Sequence, residues 1–234
     1  MEPSHKLTDK KEHILQVAEA LFSENGFEGT SIRDIATAAD VNVAMISYYF
    51  GSKEKLFEEM VQSRTAYMRE MIEQIHKSEA DPWKKVDSII DVYSEKILHN
   101  TSFHKIMYRE MSMDVRTGLS AVICDILAKN ALEFSKIIDD GIAKKVFRKV
   151  DVPLTIASII GTINHSTLSK NLVCKVLNVD PATYDIKSPE HINRIKKHLK
   201  QLMRSHLSKS GSEGAESGKK SESERAESGE KSKK

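Results

Sequence analysis

The stretch that decides the fold covers residues 30–57 and reads TSIRDIATAADVNVAMISYYFGSKEKLF. Its first part has apolar and small residues at helical spacing, residues 40–42 interrupt this pattern, and Ile46 and Phe50 then resume it. A short helix, a three-residue turn and a second helix of seven residues form a helix-turn-helix motif. Asn42 is placed to cap the second helix, because its side chain can accept a hydrogen bond from the first helical turn.

The residues around this motif also indicate helices. Apolar residues recur at spacings of three and four, and no glycine occurs between Ser52 and Thr117. Capping residues stand directly before first-turn prolines at Asp81-Pro82 and Ser188-Pro189, and Asp151 precedes Val152-Pro153. The fold class is therefore all-α. We predict helices over 8–25, 31–39, 43–49, 53–78, 82–100, 103–112, 117–145, 152–178 and 189–207.

Composition excludes several classes of protein. The 234 residues carry 36 basic and 34 acidic side chains, a net charge of +2, which does not suit a protein that coats nucleic acid by bulk charge. The first residues lack a signal peptide, and no segment resembles a membrane span, so we expect a soluble cytoplasmic protein without a membrane partner. Residues 208–234 contain only Ser, Gly, Glu, Lys, Arg and Ala, and we expect this low-complexity tail to be disordered.

The N-terminal region resembles the TetR family of bacterial transcriptional regulators. The similarity extends from about Lys10 to Phe57 and rests on LFSENGFEGTS, IRDIATAADV and YYFGSKEKLF in combination. It implies a DNA-binding domain of three helices over residues 1–52. It also implies a larger helical effector-binding and dimerisation domain over residues 53–207, with residues 208–234 as the tail.

The resemblance also implies a set of DNA contacts. Six residues are placed on or beside the recognition helix in the major groove: Asn42, Val43, Ala44, Met45, Ser47 and Tyr48. Five flanking residues are expected to contact phosphates or a base edge: Thr30, Ser31, Arg33, Tyr49 and Lys53. For Ser31 a purely structural role stands equally open, because Ser31 and Asp34 have the spacing of a capping box.

Two positions depart from the usual family pattern. Asp40 stands where the family usually has glycine, at a turn position that favours positive φ, which aspartate tolerates better than most residues. Ser47 stands where the family commonly has tyrosine, which transfers part of the expected backbone contact to Tyr48 and Tyr49. Residues 1–56 carry 6 basic and 9 acidic side chains, so their net charge is −3 and nonspecific DNA binding should be weak.

The body of the chain contains methionines, aromatic residues and a polar pair that suit an adaptable apolar pocket. We predict that an effector contacts a subset of them together with one isoleucine: Met68, Met71, Tyr93, Phe103, Met107, Tyr108, Met111, Phe134, Ile138, Asn164 and His165. For any single one of these residues an ordinary place in the core is an open alternative. No nucleophile or metal-binding motif is present, and we expect neither catalysis nor a metal nor a cofactor.

These observations lead to two hypotheses about function. The first is a homodimeric repressor that binds a palindromic double-stranded DNA operator and is released by a small apolar or amphipathic effector. The resemblance implies that this homodimer forms through the helices 152–178 and 189–207, with the long helix 53–78 joining the two domains. The alternative is a helical small-molecule-binding or enzymatic protein whose DNA-binding motif no longer reads DNA.

Overall fold

The computed structural model describes residues 3–112 and 118–209, and every regular element in this part of the chain is an α-helix, as predicted. The low-complexity tail lies outside the described residues, apart from its first two positions. The helices are α1 (Pro3–Asn25), α2 (Ile32–Ala38), α3 (Val43–Phe50), α4 (Lys53–Lys77), α5 (Pro82–His99), α6 (Thr101–Ser112), α7 (Leu119–Ala143), α8 (Val152–Leu168), α9 (Lys170–Leu177) and α10 (Pro189–Leu207).

The three proline-marked helix starts are confirmed. Asp81, Asp151 and Ser188 each accept a hydrogen bond from the backbone N–H three residues further on, at 3.1, 3.0 and 3.3 Å, and each precedes a helix with proline in its first turn. These side chains satisfy N–H groups that have no partner inside the helix. Local chemistry therefore fixes where α5, α8 and α10 begin.

One predicted helix is wrong in its continuity. The segment 152–178 divides into α8 and α9 at Ser169, whose φ of −125° and ψ of 43° leave the helical region. A continuous helix would carry Lys170 on the same face as Ile159 and Ile163, which are fully buried. The break avoids burying that charge and still places the apolar side chain of Val173 inside.

Buried side chains form two hydrophobic clusters. The first joins α1, α2, α3 and the start of α4 to α6 and the start of α7, and the second joins the remainder of α4 and α7 to α5, α8 and α10. The predicted apolar stripe of α7 is divided between them, because Ile123 belongs to the first cluster and Phe134 and Ile138 to the second. The first cluster therefore contains residues from both sides of the predicted domain boundary between residues 52 and 53.

The body is built on α4 and α7, which pack along each other, while α10 packs on α5. Between α10 and α5, three cations pair with three carboxylates: Lys196 with Glu95, Lys200 with Asp91 and Arg204 with Asp87. Within the described residues, none of the helices is long and apolar enough to cross a membrane.

Candidate DNA-binding surface and ligand pocket

The turn of the helix-turn-helix motif has the geometry that the sequence predicted. Asp40 adopts a left-handed conformation with φ of 51°, and the N–H of Val41 reaches back to the carbonyl of Ala36 at 3.0 Å. The N–H of Asp40 bonds to the carbonyl of Thr37 at 3.3 Å, which completes a Schellman motif. The departure from glycine therefore leaves the turn intact, with Val41 packed against the first hydrophobic cluster.

Helix α3 has one buried and one exposed face. Ile46 and Phe50 anchor it in the first cluster, and the side chain of Asn42 caps it by accepting a hydrogen bond from the N–H of Ala44 at 2.8 Å. Tyr48 is 80% exposed, and Met45 is half-buried. Five of the six residues assigned to the recognition helix are exposed: Asn42, Val43, Ala44, Ser47 and Tyr48.

Tyr49 lies at the edge between the two faces of α3. Its half-buried ring packs against the first cluster and contacts the rings of Tyr48 and Phe50, at centroid distances of 5.5 and 6.2 Å. Burial of an aromatic ring stabilises the helix position, and a hydroxyl at its rim is a natural hydrogen-bonding group. This placement is compatible with the expected contact to the DNA backbone.

Two of the residues expected to contact phosphates, Thr30 and Lys53, make hydrogen bonds within the protein. Thr30 is 1% exposed, and its hydroxyl donates hydrogen bonds to the carbonyls of Gly26 and Leu21 at 2.8 and 3.2 Å. The Lys53 Nζ donates to the carbonyls of Phe27 and Thr30 at 2.9 and 3.2 Å, and it also lies 4.2 Å from the centre of the Phe27 ring. Both side chains therefore hold the turn between α1 and α2, which the signature alone did not reveal.

Ser31 and Arg33 lie at the exposed start of α2. Ser31 and Asp34 form the capping box: the Asp34 carboxylate accepts from the Ser31 N–H at 2.8 Å, and the Ser31 hydroxyl accepts from the Asp34 N–H at 3.2 Å. Hydrogen bonds from the side chain and backbone of Ser31 lower the pKa of Asp34, so the box is intact at neutral pH. Arg33 is exposed, and its assigned contact stays a prediction.

A cavity of about 90 Å³ lies in the body, between helices α4 to α8. Its apolar wall consists of Met68, Tyr93, Ile97, Phe103, Met107, Leu127 and Ile160. Its polar groups belong to Arg64, Thr65, Lys96, Asn100, His104, Tyr108, Asn130 and Asn164. A mostly apolar wall with a few polar groups is typical of a small-molecule site.

Six of the eleven residues predicted to contact an effector line this cavity: Met68, Tyr93, Phe103, Met107, Tyr108 and Asn164. Effector contact by these six stays a prediction. The other five, which do not line it, are Met71, Met111, Phe134, Ile138 and His165.

Their positions explain why these five residues lie elsewhere. Phe134 is fully buried behind Tyr93, with the two rings stacked at a centroid distance of 6.0 Å, and Ile138 lies in the same cluster. Met111 packs against the first cluster, and Met71 is off the inward row of α4, which continues from Met68 through Ile72.

His165 is separated from the cavity by the geometry of α8. It lies next to Asn164, and successive residues of a helix point about 100° apart. Asn164 therefore lines the cavity, while the exposed His165 lines a groove with residues of α9 and α10.

The sequence did not single out the remaining polar lining residues. Arg64, Lys96 and Asn100 occur in segments rich in charged and polar side chains, which read as solvated helix faces. Asn130 could have been identified from the sequence, because an amide side chain on the buried face of an apolar helix is unusual. Helix packing, rather than local pattern, brings these residues together.

The electrostatics of the cavity disfavour a cation. Among the described residues, no aspartate or glutamate lines it, whereas Arg64 and Lys96 do. Burial, together with the charge of Lys96, lowers the pKa of His104 to about 4, so this imidazole is neutral at physiological pH. Burial also raises the pKa of Tyr108, whose hydroxyl accepts a hydrogen bond from the Asn164 side-chain amide. The site is therefore mostly apolar, with neutral hydrogen-bonding groups and two cationic residues, of which Arg64 is paired with Glu12 and Glu19.

Arg64 joins the cavity wall to α1. Its Nε donates to the carboxylate of Glu19 and its Nη1 donates to that of Glu12, both at 2.7 Å. Arg64 itself is only 19% exposed, so these charge-assisted hydrogen bonds are partly shielded from solvent. A change at this side of the cavity therefore has a direct polar link to the helix that precedes the helix-turn-helix motif.

Helix α6 gives a second, apolar link. Phe103 and Met107 line the cavity and also belong to the first hydrophobic cluster, together with residues of α1, α2 and α3. Further along α6, the guanidinium of Arg109 lies against Gly26, whose φ of 79° favours glycine. The cavity and the helix-turn-helix motif thus share one packed helix.

Within the described residues, no group of three or more His, Cys, Asp or Glu side chains could hold a metal ion.

Comparison with known proteins agrees with this architecture. Residues 14–60 match the family model described as "Bacterial regulatory proteins, tetR family". The chain is 28% identical over 174 residues to "Probable HTH-type transcriptional regulator YttP" of Bacillus subtilis, covering 73% of this chain and 83% of the relative. It is 31% identical over 147 residues to "HTH-type transcriptional repressor NicS" of Pseudomonas putida, covering 59% and 66%.

A solved structure has the same fold over most of the chain. The transcriptional regulator FadR from Bacillus subtilis, crystallised in complex with stearoyl-CoA, superimposes with a TM-score of 0.65 at 21% identity and covers 80% of this chain and 96% of its own. The family model covers the helix-turn-helix region, and the structural match extends into the helical body. The chain belongs to the TetR family of bacterial regulatory proteins.

Proposed function

We propose that this protein is a homodimeric transcriptional repressor in which α3 reads a palindromic operator and an effector in the cavity lowers operator affinity. The observation that carries this proposal is the double role of α6, whose Phe103 and Met107 form part of the cavity wall and of the core beneath the helix-turn-helix motif. An effector can shift the equilibrium between two conformations only by binding them differently, so a shared wall is what coupling requires.

The proposed dimer forms through α8, α9 and α10. These helices expose apolar side chains that have no place in either core: Leu154, Leu168, Leu172, Val176 and Leu202. Ala157 and Gly161 lie between the leucines of α8 on its exposed face, and small residues allow a second helix to approach closely. Because one short recognition helix contacts few base pairs, two copies are needed for useful specificity.

The proposed effector is a small apolar or amphipathic molecule. The apolar wall of the cavity supports this, and a protein of the same fold, FadR, was crystallised with stearoyl-CoA. The relatives named as a regulator and a repressor support a role in cytoplasmic gene control and disfavour an enzyme that has lost DNA binding. The protein acts by binding double-stranded DNA and effector, without catalysis or a cofactor.

The decisive experiment is selection of bound DNA from a random pool, followed by measurement of operator affinity for wild type and Tyr48→Ala. Loss of a base-contacting side chain costs about 1–3 kcal/mol per half-site, so a symmetric dimer should lose operator affinity by roughly 30-fold or more. The matched control is Tyr67→Ala, which removes another exposed tyrosine, on α4 in the body. This control should leave operator affinity unchanged.

Three results would contradict the proposal. Selection could enrich no palindromic sequence, sedimentation could show a monomer at micromolar concentration, or Tyr48→Ala could bind the selected operator as tightly as Tyr67→Ala. Tyr48 is 80% exposed, so its replacement should not alter the melting temperature, and a loss of binding can be attributed to the contact itself.

A further inference from the structure

Two buried amide oxygens at the cavity have no hydrogen-bond partner among the described residues. They are the Oδ1 atoms of Asn130 on α7 and Asn164 on α8, and the two residues are 5% and 4% exposed. Both residues line the cavity. Buried polar atoms in proteins nearly always have a partner, so each such exception needs an explanation.

The other end of each amide is held by the protein. The Nδ2 of Asn130 donates to the carbonyl of Thr65 at 3.4 Å, and the Nδ2 of Asn164 donates to the hydroxyl of Tyr108. These bonds orient the two side chains. The groups that remain for another molecule are therefore the two acceptor oxygens, the second N–H of each amide, and the hydrogen of the Tyr108 hydroxyl, which its bond to Asn164 does not use.

This set of groups distinguishes between ligand chemistries. A cation finds no carboxylate in the lining, where the charged residues are Arg64 and Lys96. A carboxylate group offers no hydrogen to the amide oxygens, and an ether or a ketone likewise only accepts. An alcohol hydroxyl donates to an amide oxygen and can also accept from the hydroxyl of Tyr108.

We propose that the effector is an uncharged amphiphile with an alcohol hydroxyl, recognised by the amide oxygens of Asn130 and Asn164, with its apolar body against Met68, Phe103, Met107 and Ile160. This inference rests on the proposed function only in calling the bound molecule an effector, because the binding chemistry follows from the cavity itself. Asn130 and Asn164 are then residues that determine specificity.

The test compares two isomers that differ only in hydrogen-bond donation. The probes are 1-octanol and 1-methoxyheptane, which have the same atoms, but only the alcohol has an O–H group. Binding to the full chain is measured by isothermal titration calorimetry, with octylammonium as the cationic probe. We expect 1-octanol to bind about tenfold or more tightly than the ether, since a site built to pair with a hydroxyl rejects an analogue that cannot donate. Octylammonium should bind more weakly than the alcohol.

The variants Asn130→Leu and Asn164→Leu remove the acceptors while keeping a side chain of similar shape. Each should reduce the preference for the alcohol, and the double variant should abolish it. The matched control is Asn100→Leu, which changes another asparagine of the lining whose atoms are not among the unpaired buried ones. This control should retain the preference.

A second measurement separates recognition from a structural role. If the two oxygens serve a ligand, then replacing Asn130 by leucine removes an unpaired acceptor and loses only the long hydrogen bond to Thr65 at 3.4 Å, so the melting temperature of the ligand-free protein should stay unchanged or rise. A marked fall in melting temperature, together with unchanged preference among the probes, would overturn the inference. Equal affinity of wild type for the two isomers, or tightest binding of octylammonium, would also overturn it.

The outcomes distinguish this inference from the proposed function. If 1-octanol binds with the expected preference but leaves operator affinity unchanged, the ligand chemistry stands and the proposed release from DNA is wrong. If operator release is instead produced by a compound without a donor, and Asn130→Leu with Asn164→Leu leaves that release intact, the repressor stands and the alcohol is excluded.

Discussion

The helix-turn-helix region and the cavity region differ in how their buried polar groups are satisfied. In the first, the hydroxyl of Thr30 and the ammonium of Lys53 are both engaged with backbone carbonyls of the turn after α1. In the second, two asparagine oxygens are buried without a partner among the described residues. A region whose polar groups are paired internally holds one geometry, whereas unpaired groups are better satisfied when another molecule binds.

The same contrast appears in the packing. Phe22, Phe27 and Phe57 form a three-ring cluster in which every pair of ring centroids is 5.3–5.5 Å apart. In the body, Tyr93 and Phe134 stack at 6.0 Å, directly beside the cavity that Tyr93 lines. The reading surface is thus supported by a close-packed core, and the effector site by a wall with room on one side. This difference suits a rigid DNA-binding motif that is controlled by an adaptable effector site.

The largest expected effect tests this packing contrast with two fully buried phenylalanines. Phe57→Ala should lower the free energy of unfolding by about 3–5 kcal/mol, because the three-ring cluster cannot collapse around the vacated volume. Phe134→Ala should cost less, since Tyr93 borders a cavity and can shift toward the vacated space. Urea denaturation of both variants measures the difference.

The conservative variants Phe57→Leu and Phe134→Leu are the matched controls, and each should cost less than the corresponding alanine variant. The contrast between the two regions would be wrong if Phe134→Ala destabilised the protein as much as Phe57→Ala. An unchanged slope of the free energy against urea would show that the denatured state is not the source of the difference.

The next effect concerns pH and is confined to the cavity region. Burial lowers the pKa of His104 from 6.5 to about 4, so the unfolded chain binds a proton at a higher pH than the folded protein does. The stability that neutral His104 contributes is present above pH 6.5 and is lost as the pH falls toward 4, by about 3 kcal/mol in total. His104→Gln should therefore flatten the dependence of stability on pH between these values.

The control for this experiment is His198→Gln, which replaces an exposed histidine of α10. It should retain the pH dependence of the wild type. Denaturation curves at intervals from pH 7 to pH 4 provide the measurement. Identical pH profiles for His104→Gln and wild type would contradict the burial of a neutral imidazole beside Lys96.

The two regions also differ in how far the sequence predicted them. Residues 30–57 were assigned correctly as a helix-turn-helix motif, including the positive φ of Asp40, because capping and turn geometry depend on neighbours within a few residues. The sequence did not reveal the internal partners of Thr30 and Lys53, which come from the turn after α1. A family signature shows that such residues are expected, but not which atoms they contact.

The cavity was predicted only in part because five helices contribute to it. Hydrophobicity and aromatic character identified Met68, Phe103 and Met107, yet the same criteria also selected Phe134, which is buried one layer behind. Arg64 was not selected, since its role depends on Glu12 and Glu19, which are 52 and 45 residues away in the chain. Long-range packing of this kind leaves no local periodicity.

A smaller effect is expected where the two regions are joined by charge. Arg64→Met removes the two hydrogen-bonded ion pairs with Glu12 and Glu19 while keeping an apolar stem of similar length. We expect a loss of about 1–2 kcal/mol in the free energy of unfolding, because these pairs are charge-assisted and partly buried. We also expect the variant to show a reduced response of operator affinity to any compound that binds in the cavity.

Arg69→Met is the matched control, because it changes another arginine of the same helix that does not line this cavity. Operator affinity is measured by fluorescence anisotropy with and without the cavity ligand, for both variants and wild type. If Arg64→Met retains the full response, the coupling does not depend on this polar link, and α6 becomes the main route between the two regions.

The smallest effect is expected on the side of the body away from the motif, where α10 is fastened to α5. Arg204 pairs with Asp87 at 2.5 Å and lies 4.3 Å from the centre of the Trp83 ring, whereas Lys200 has the single pair with Asp91 at 2.7 Å. Partly exposed ion pairs contribute about 0.2–1 kcal/mol, and a cation over an aromatic ring adds about 0.5–1 kcal/mol. Arg204→Met should therefore destabilise the protein slightly more than Lys200→Met, and Lys197→Met, at an exposed position of α10, should have no measurable effect.

Added salt should diminish the Lys200→Met effect more than the Arg204→Met effect. The reason is that Arg204→Met also removes the contact between the guanidinium and the Trp83 ring, and that contact is less sensitive to screening by salt. Equal and salt-independent effects of all three substitutions in urea denaturation would show that apolar packing alone holds α10 in place.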